Sequence, residues 1–503
     1  TLNAAATITG GTSLSNLLLL GYFGRINYDF KKKYLLTINA RYDGASNLGA
    51  ANRWGFFPGV AVGWNIHEEK FWQSLPGATT LKLRGSYGIN GNISGLGDYE
   101  AQGAYNVSTL PSQARYGNNI GLTLTGLPNP NLQWERSKTV NLGADLGLFN
   151  NRVTVIAEVY RRETENLLTS LNLPPSVGFG TIFTNLGSLE NKGVELELGV
   201  QVLPATSAVS WNVSVNAAYV KTKVLELPSN GQPGNRIGGI QILDPQTKQL
   251  IWVPANLGRM EGHRLGDLYA YKVLGVYATD QEGAAGPKDM IANASGRTKR
   301  GGDYIFQDTD GNGVIEAKDK VYIGNMFPVW TGGFSTSVGY KNFLLTVRTD
   351  YALGHSIYNY ASAYTYGGWG GQNAPLQEML NRSWKKQGDI TDMPRWDPQE
   401  HAGPSNFFRG NGDLGVVSSV IEKGDYLCIR ELSLGYNLPS ALLRKVNISN
   451  LRFNVTGNNL HYFTNYSGAS PENPNYDSRA SWYGDRGRFP IPRGVIFGVN
   501  VTF

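Results

Sequence analysis

Val495–Phe503 reads VIFGVNVTF. Val495, Phe497, Val499, Val501 and Phe503 are apolar, while Gly498, Asn500 and Thr502 between them are small or polar. A period of two sorts the two kinds of residue onto opposite faces of an extended strand. One such strand would suit a secreted β-rich protein as well as a membrane one. The same alternation, however, returns along the whole chain, with very short polar turns on one side and very long loops on the other. That asymmetry is the pattern of an all-β, transmembrane antiparallel β-barrel, apolar residues towards lipid and polar ones towards a lumen.

Working outward, Tyr22–Phe30 sets Gly24, Ile26, Tyr28 and Phe30 against Arg25, Asn27 and Asp29. After three lysines, Tyr34–Asp43 sets Leu36, Ile38, Ala40 and Tyr42 against Thr37, Asn39, Arg41 and Asp43. Charges at every second position are costly against hydrocarbon and harmless in a wet interior. Further strands carry Val60, Val62, Trp64 and Ile66, then Leu81, Leu83, Gly85 and Tyr87 opposite Lys82, Arg84 and Ser86. Val140–Leu146, Val153–Val159 opposite Glu158, and Trp211–Tyr219 continue the pattern. The cleanest strand places Val194, Leu196, Leu198 and Val200 on the expected lipid face and Glu195, Glu197 and Gln201 on the lumen face. Gly333–Tyr340, Phe343–Tyr351, Tyr426–Tyr436, Leu451–Leu460 and Gly494–Phe503 complete thirteen spanning strands. In Tyr426–Tyr436 the phase slips near Arg430, the mark of a bulge.

With 41% hydrophobic residues and a mean hydropathy of −0.28, the chain does not announce a membrane protein by composition. It has no run of about 18 apolar residues, which excludes a helical span and leaves a barrel open. A single cysteine, Cys428, excludes an intrachain disulfide framework. The net charge of +6 is scattered, so no nucleic-acid partner is expected. The chain opens without an initiator Met or a signal-peptide pattern and reads as part of a longer protein. With the last strand descending to a periplasmic C-terminus, an odd number of strands is expected upstream, because such barrels close on an even count. Residues 1–503 are read as the C-terminal part of the barrel, with long extracellular loops at 223–329 and 352–425. The segment Arg264–Tyr277 is expected to pack within the first of these loops and not to span.

The sharpest local motif is DTDGNGVIEAKD, Asp308–Asp319. Asp308, Asp310, Asn312, the Val314 carbonyl, Glu316 and Asp319 stand at calcium-loop positions, with Gly313 at the sharp turn. Calcium would serve as a structural ion; the competing reading is a polar turn without one. Tyr358, Tyr360, Tyr364, Tyr366 and Trp369 form an aromatic run suited to stacking on sugars or gripping peptides, or else to packing against neighbouring loops or a partner. Arg41, Arg84, Glu158, Glu195 and Glu197 are lumen-facing candidates for plug or substrate contact, or plain solvation. The five histidines show no metal-ligand spacing, and no nucleophile-elbow or zincin motif appears, so no enzyme is expected. An outer-membrane adhesin or structural barrel is the alternative, with a barrel hydrolase behind it.

Several stretches together resemble the SusC/RagA-like TonB-linked (TonB-dependent) outer-membrane transporters of Bacteroidota. They are RYDGASNLGAANRWGFFPGVAVGWNI (Arg41–Ile66), LKLRGSYGINGN (Leu81–Asn92), NPNLQWERSKTVNLGADLGLFNNRV (Asn129–Val153) and NLGSLENKGVELEL (Asn185–Leu198). They continue with GDYIFQDTDGNGVIEAKDKVYIGN (Gly302–Asn325), YLCIRELSLGYNLP (Tyr426–Pro439), LRFNVTGNNLHYFTNYSG (Leu451–Gly468) and the closing FPIPRGVIFGVNVTF. The resemblance implies a barrel of about 22 strands around an N-terminal plug, of which these would be the last. It implies active import of a glycan or an oligopeptide, coupling to TonB–ExbB–ExbD through an absent N-terminal region, and a SusD-like surface lipoprotein as lid. It also makes the terminal strand, with Phe497, Val499, Val501 and Phe503, resemble the insertion signal of outer-membrane barrels.

Overall fold

The computed structural model describes residues 16–74, 77–107, 122–244, 246–254, 258–290, 298–363, 365–366, 376–396, 416–443, 448–472, 484–487 and 489–503. Thirteen long strands hydrogen-bond in sequence order. They are β1 (Leu19–Phe30), β2 (Tyr34–Ala45), β3 (Trp54–Asn65), β4 (Ala78–Asn92), β5 (Glu135–Leu148), β6 (Val153–Glu165) and β7 (Ser188–Gln201). After them come β8 (Val209–Glu226), β9 (Trp330–Tyr340), β10 (Phe343–Leu353), β11 (Tyr426–Asn437), β12 (Asn450–Thr464) and β13 (Gly494–Thr502). Connections alternate between short ones, such as 31–33, 149–152 and 341–342, and long ones such as 93–134, 227–329 and 354–425. The reading of thirteen antiparallel spanning strands is therefore correct. Several strand ends shift by a few residues, and Ile66 does not extend β3 but sits buried in a short helical turn that follows it.

The chain divides into two compact units, 1–69 with 83–142 and 160–190, and 70–82 with 143–159 and 191–503. In the first, β1, β2 and β3 pair so that Ile26, Ile38 and Val60 form one rung and Tyr28, Leu36 and Val62 the next. On the other face Arg25 meets Asn39 and Asn27 meets Thr37, whose hydroxyl donates to the Asn27 side chain at 3.0 Å. A one-residue slip would exchange the two faces, so the pattern itself specifies the register. Tyr42 and Trp54 stack at 4.8 Å at the long-loop end, while Phe30, Tyr34 and Trp64 align at the short-turn end. A small core above the strands joins Ala45, Leu48, Leu96, Ala101 and Leu132. Beside it the Asn185 side chain donates to the Gln133 carbonyl and accepts from its N–H, at 2.7 and 2.8 Å.

In the second unit the apolar row runs Trp211, Val338, Leu345, Leu434, Val455, Phe497 across β8 to β13. Tyr340, Phe343, Tyr436 and Phe453 form an aromatic row at the short-turn end. Tyr219 and Trp330, 5.0 Å apart, mark the other end. Ten residues separate Tyr340 from Trp330; at about 3.3 Å each and a tilt of about 40° that is roughly 25 Å, the height of a barrel's apolar band between its aromatic girdles. Large side chains on this face lie open: Leu345, Leu434, Val455 and Phe497 are 38–78% exposed. A soluble protein does not expose so continuous an apolar surface. On β7, Val194, Leu196, Leu198 and Val200 share one face and Glu195, Glu197 and Gln201 the other.

Candidate functional site: the loop body and the lumen-side bulge

Segments 223–329 and 352–425 do not remain two separate loops. They build one folded body over β8 to β11. Asp267–Tyr271 pairs with Lys320–Asn325, and Val273–Val276 with Tyr304–Phe306. From the second segment, Ser356–Tyr358 pairs with Ile421–Lys423. The two segments are then stitched together: the Tyr271 N–H donates to the Val416 carbonyl at 3.0 Å and the Trp384 indole N–H to the Ala278 carbonyl at 2.9 Å. One hydrophobic core results, with Tyr271, Tyr304, Phe306 and Ile315 from the first segment and Met379, Met393, Val417 and Val420 from the second. Fixing this much backbone costs about 1–2 kcal/mol per residue, and burial of these side chains is what offsets it. Arg264–Tyr277 thus packs within the body as expected.

Among the described residues of the body, two ion pairs are largely buried. Lys299 Nζ stands 2.9 Å from Asp289 Oδ2, with 2% and 0% of the two side chains exposed. The same ammonium lies 4.6 Å from the Phe306 ring centroid. Arg395 Nε reaches Asp303 Oδ1 at 2.9 Å, and the Arg395 N–H donates to the Gly302 carbonyl at 2.8 Å, another link between the segments.

The Asp308–Asp319 turn sits in this body. Asp308, Asp310 and Asp319 each offer a carboxylate oxygen, and these oxygens lie within 4.8 Å of one another. Ligands at about 2.3–2.6 Å from one calcium ion would span that distance. The loop is shaped by its own side chains. Asp308 accepts the Gly311 and Gly313 N–H groups at 2.7 and 2.8 Å. Gly311 and Gly313 take φ of 72° and 80°, the left-handed conformation glycine adopts without a Cβ clash. Residues 314–315 pair in parallel with 288–289 through the Gly313 and Ile315 carbonyls, which flank that of Val314. Asn312 turns its amide nitrogen to Asp310 and Glu316, at 3.1 and 3.2 Å. Lys318 Nζ bridges Asp310 and Glu316 at 2.7 and 2.9 Å. That ammonium holds the Asp310 carboxyl below its usual range, whereas burial first, then the neighbouring carboxylates, push Asp319 up. Asp308, Asp310 and Asp319 converge as hard oxygen donors, and Lys318 is the internal cation that balances the outer carboxylates.

The aromatic run is divided. Tyr358 is 6% exposed and belongs to the core, where it meets Tyr360 edge-on at 6.0 Å. It packs within the body, the second of the two readings its aromatic run allowed. Tyr360 and Tyr366 pack half-buried against the same core. Tyr364 and Trp369 lie outside the described residues. Arg41, Arg84, Glu158, Glu195 and Glu197 all stand on the strand face opposite the apolar one, and Arg41 forks onto Asp43 at 3.0 Å in both contacts. Phe497, Val499 and Val501 share one face of β13 and pair with Val455, Phe453 and Leu451, while Phe503 lies just past the strand.

A further cluster was not read as a site from the sequence. The phase slip at Arg430 is a β-bulge: the register shifts between Ile429 and Glu431 on β11 and between Arg348 and Thr349 on β10. The extra residue re-aims a side chain. Arg430 reaches Asp350 and Glu472 as ion pairs and donates to Asn459 Oδ1 and the Tyr462 hydroxyl at 3.1 and 3.0 Å. It ties three strands to the loop after β12. The lost alternation beside an arginine was the available signal.

The family described as "TonB dependent receptor-like, beta-barrel" matches residues 4–349. The chain is 32% identical over 524 residues to "TonB-dependent receptor P39" of Formosa agariphila, covering 98% of this chain and 47% of that protein. It is 29% identical over 342 residues to "TonB-dependent receptor SusC" of Bacteroides thetaiotaomicron, covering 68% of this chain and 32% of that protein. It spans about half the length of the first curated relatives it matches. Among solved structures, the RagAB peptide transporter superposes with a TM-score of 0.73 at 24% identity, over 98% of this chain and 49% of that one. Strand order, exposed apolar face and sequence agree: the chain belongs to the TonB-dependent receptor family, as a β-barrel of the bacterial outer membrane.

Proposed function

We propose that the protein containing this chain imports an oligomeric nutrient, a glycan or an oligopeptide, across the outer membrane at the expense of TonB-coupled energy. The observation that carries this is the folded body over β8 to β11: a barrel that only anchors or adheres has no need of a folded structure drawn from two long segments at the mouth of a polar-lined sheet. The body is read as extracellular, because β8 and β9 flank it and the turn 341–342 lies on the other side. Relatives named SusC and RagAB, the latter a peptide transporter, support the reading and suggest a SusD-like lipoprotein resting on the body. No catalytic step forms part of it. The test is uptake of fluorescent oligosaccharides and oligopeptides by cells with and without the gene, and with and without a protonophore. Loss of uptake of one class in both conditions is the expected result. Unchanged uptake of both, with loss of surface adhesion, would favour the adhesin.

Within that reading, Asp308, Asp310, Asn312, Glu316 and Asp319, with the Val314 carbonyl, hold a calcium ion that stiffens the body. Calcium added to the chelated full-length receptor is expected to protect residues 302–325 from hydrogen exchange. Asp308→Ala should abolish that protection, since Asp308 both orders the turn and supplies a ligand. Equal exchange with and without calcium would leave Lys318 as the turn's cation and refute the metal.

A further inference from the structure

The apolar face of β1 to β5 is not smooth. A groove of about 560 Å³ runs over it, walled by Tyr28, Leu36, Val62, Leu83 and Leu142 and floored by Gly85. A Cβ at Gly85 would stand 3.3 Å from Leu142 and 3.8 Å from Val62, so any larger side chain there would rise into the groove. Tyr34 and Trp64 close its short-turn end. Both direct their polar atoms to Glu69: the Tyr34 hydroxyl donates at 3.0 Å and the Trp64 indole N–H at 3.3 Å. Lys33 joins them at 2.7 Å, and its ammonium, then the Tyr34 hydroxyl, hold the Glu69 carboxyl below its usual range. Glu69 is thereby fully engaged at the level where hydrocarbon gives way to headgroups.

The turn beyond carries Lys31 and Lys32. Both are exposed, and among the described residues neither ammonium forms an ion pair; Lys31 Nζ lies 5.2 Å from the Phe30 ring centroid. Both take left-handed backbone, φ 56° and 58°, and the Lys33 N–H closes the turn on the Phe30 carbonyl at 3.0 Å. Positive φ at two successive central residues of a turn is the conformation that favours Asn-Gly, because a Cβ is disfavoured there. Two lysines at those positions raise the cost of the turn while placing two positive charges at the end of an apolar groove. The second unit repeats the motif in part: Lys341, at φ 51°, lies 5.3 Å from the Tyr340 ring centroid.

We propose that this groove and turn form a binding site for one acidic phospholipid of the inner leaflet, an acyl chain lying over Gly85 and the phosphate between Lys31 and Lys32. Apolar floor, aromatic collar and paired cations follow the order of chain, glycerol and phosphate in such a lipid. The inference rests on the sheet's place in the membrane and not on import; a receptor that imports nothing would still hold the lipid.

The test is native mass spectrometry of the delipidated full-length receptor titrated with phosphatidylglycerol or phosphatidylethanolamine. In a variant carrying Lys31→Asn and Lys32→Gly, phosphatidylglycerol affinity is expected to fall roughly thirtyfold, the combined effect of two lysines near a charged surface. Phosphatidylethanolamine should change little. The variant installs the preferred turn pair, so it should fold at least as well, which heat-modifiable migration on a gel reports. Gly85→Leu should weaken both lipids; if it does not fold, the turn variant alone decides. Unchanged phosphatidylglycerol affinity in the turn variant, or equal loss of both lipids from it, would overturn the proposal. So would displacement of the lipid by lipopolysaccharide, which would put the turn in the outer leaflet.

Discussion

Replacing Lys299 by methionine is expected to destabilise the loop body by about 3–5 kcal/mol, because removing one partner of a buried ion pair leaves the other charge in low dielectric. Asp289 is fully buried in the short strand that pairs with residues 314–315, so it cannot turn to water without opening that pairing. The damage should be local. The body has its own core, separate from the rungs of the thirteen-strand sheet, and should exchange as its own cooperative unit. Hydrogen exchange followed by mass spectrometry is the measurement: residues 267–325 and 416–423 should lose protection together while β9 to β13 keep theirs. A double variant, Lys299→Met with Asp289→Leu, should recover most of the loss, since an apolar pair of similar size often replaces a buried ion pair without penalty. Unchanged exchange in the single variant would show that the pair carries no stability. Simultaneous loss in β9 to β13 would show that body and strands open as one.

The second large effect is expected at Leu432→Arg. Leu432 pairs with Val347 midway between the two aromatic rows, and it is 43% exposed on the apolar face. An arginine at the bilayer midplane of a barrel's lipid face costs about 2–4 kcal/mol. Thr346→Arg is the matched control. Thr346 lies one residue from Val347 and pairs with Ser433 on the opposite face. That face already holds charge at this height: Arg348 meets Glu431 at 3.2 Å. Folding yield into lipid vesicles, scored by heat-modifiable migration, should drop for Leu432→Arg and hold for Thr346→Arg. The reverse order would invert the assignment of lipid and lumen faces made from alternation, and equal losses would refute it.

Each strand's two faces could be read from the order of its residues, because in extended backbone the side-chain period is two whatever the strand packs against. That is why Val194 to Val200 separate from Glu195 and Glu197 with no knowledge of neighbours, and why thirteen strands could be counted before any pairing was seen. The bulge at Arg430 was legible for the same reason, as a break in the period. The spacing of Asp308, Asp310 and Asp319 was equally local, since residues eleven apart in one tight turn converge through the turn itself. Tyr358 was not legible. Beside it stand Ser356, Ile357, Asn359 and Tyr360, and nothing in them says that Val417 and Val420, about sixty residues on, will cover it. Nor does sequence order alone join residues 267–325 to 416–423. Their core forms only because β8 to β11 bring the ends of both segments to one edge, where apolar side chains too sparse to bury one another within either segment can do so together. The alternation along each strand determined the sheet; the body that stands over it, the buried Lys299–Asp289 pair and the contacts made by Arg430 were decided by tertiary structure, because burial depends on what the rest of the chain brings near.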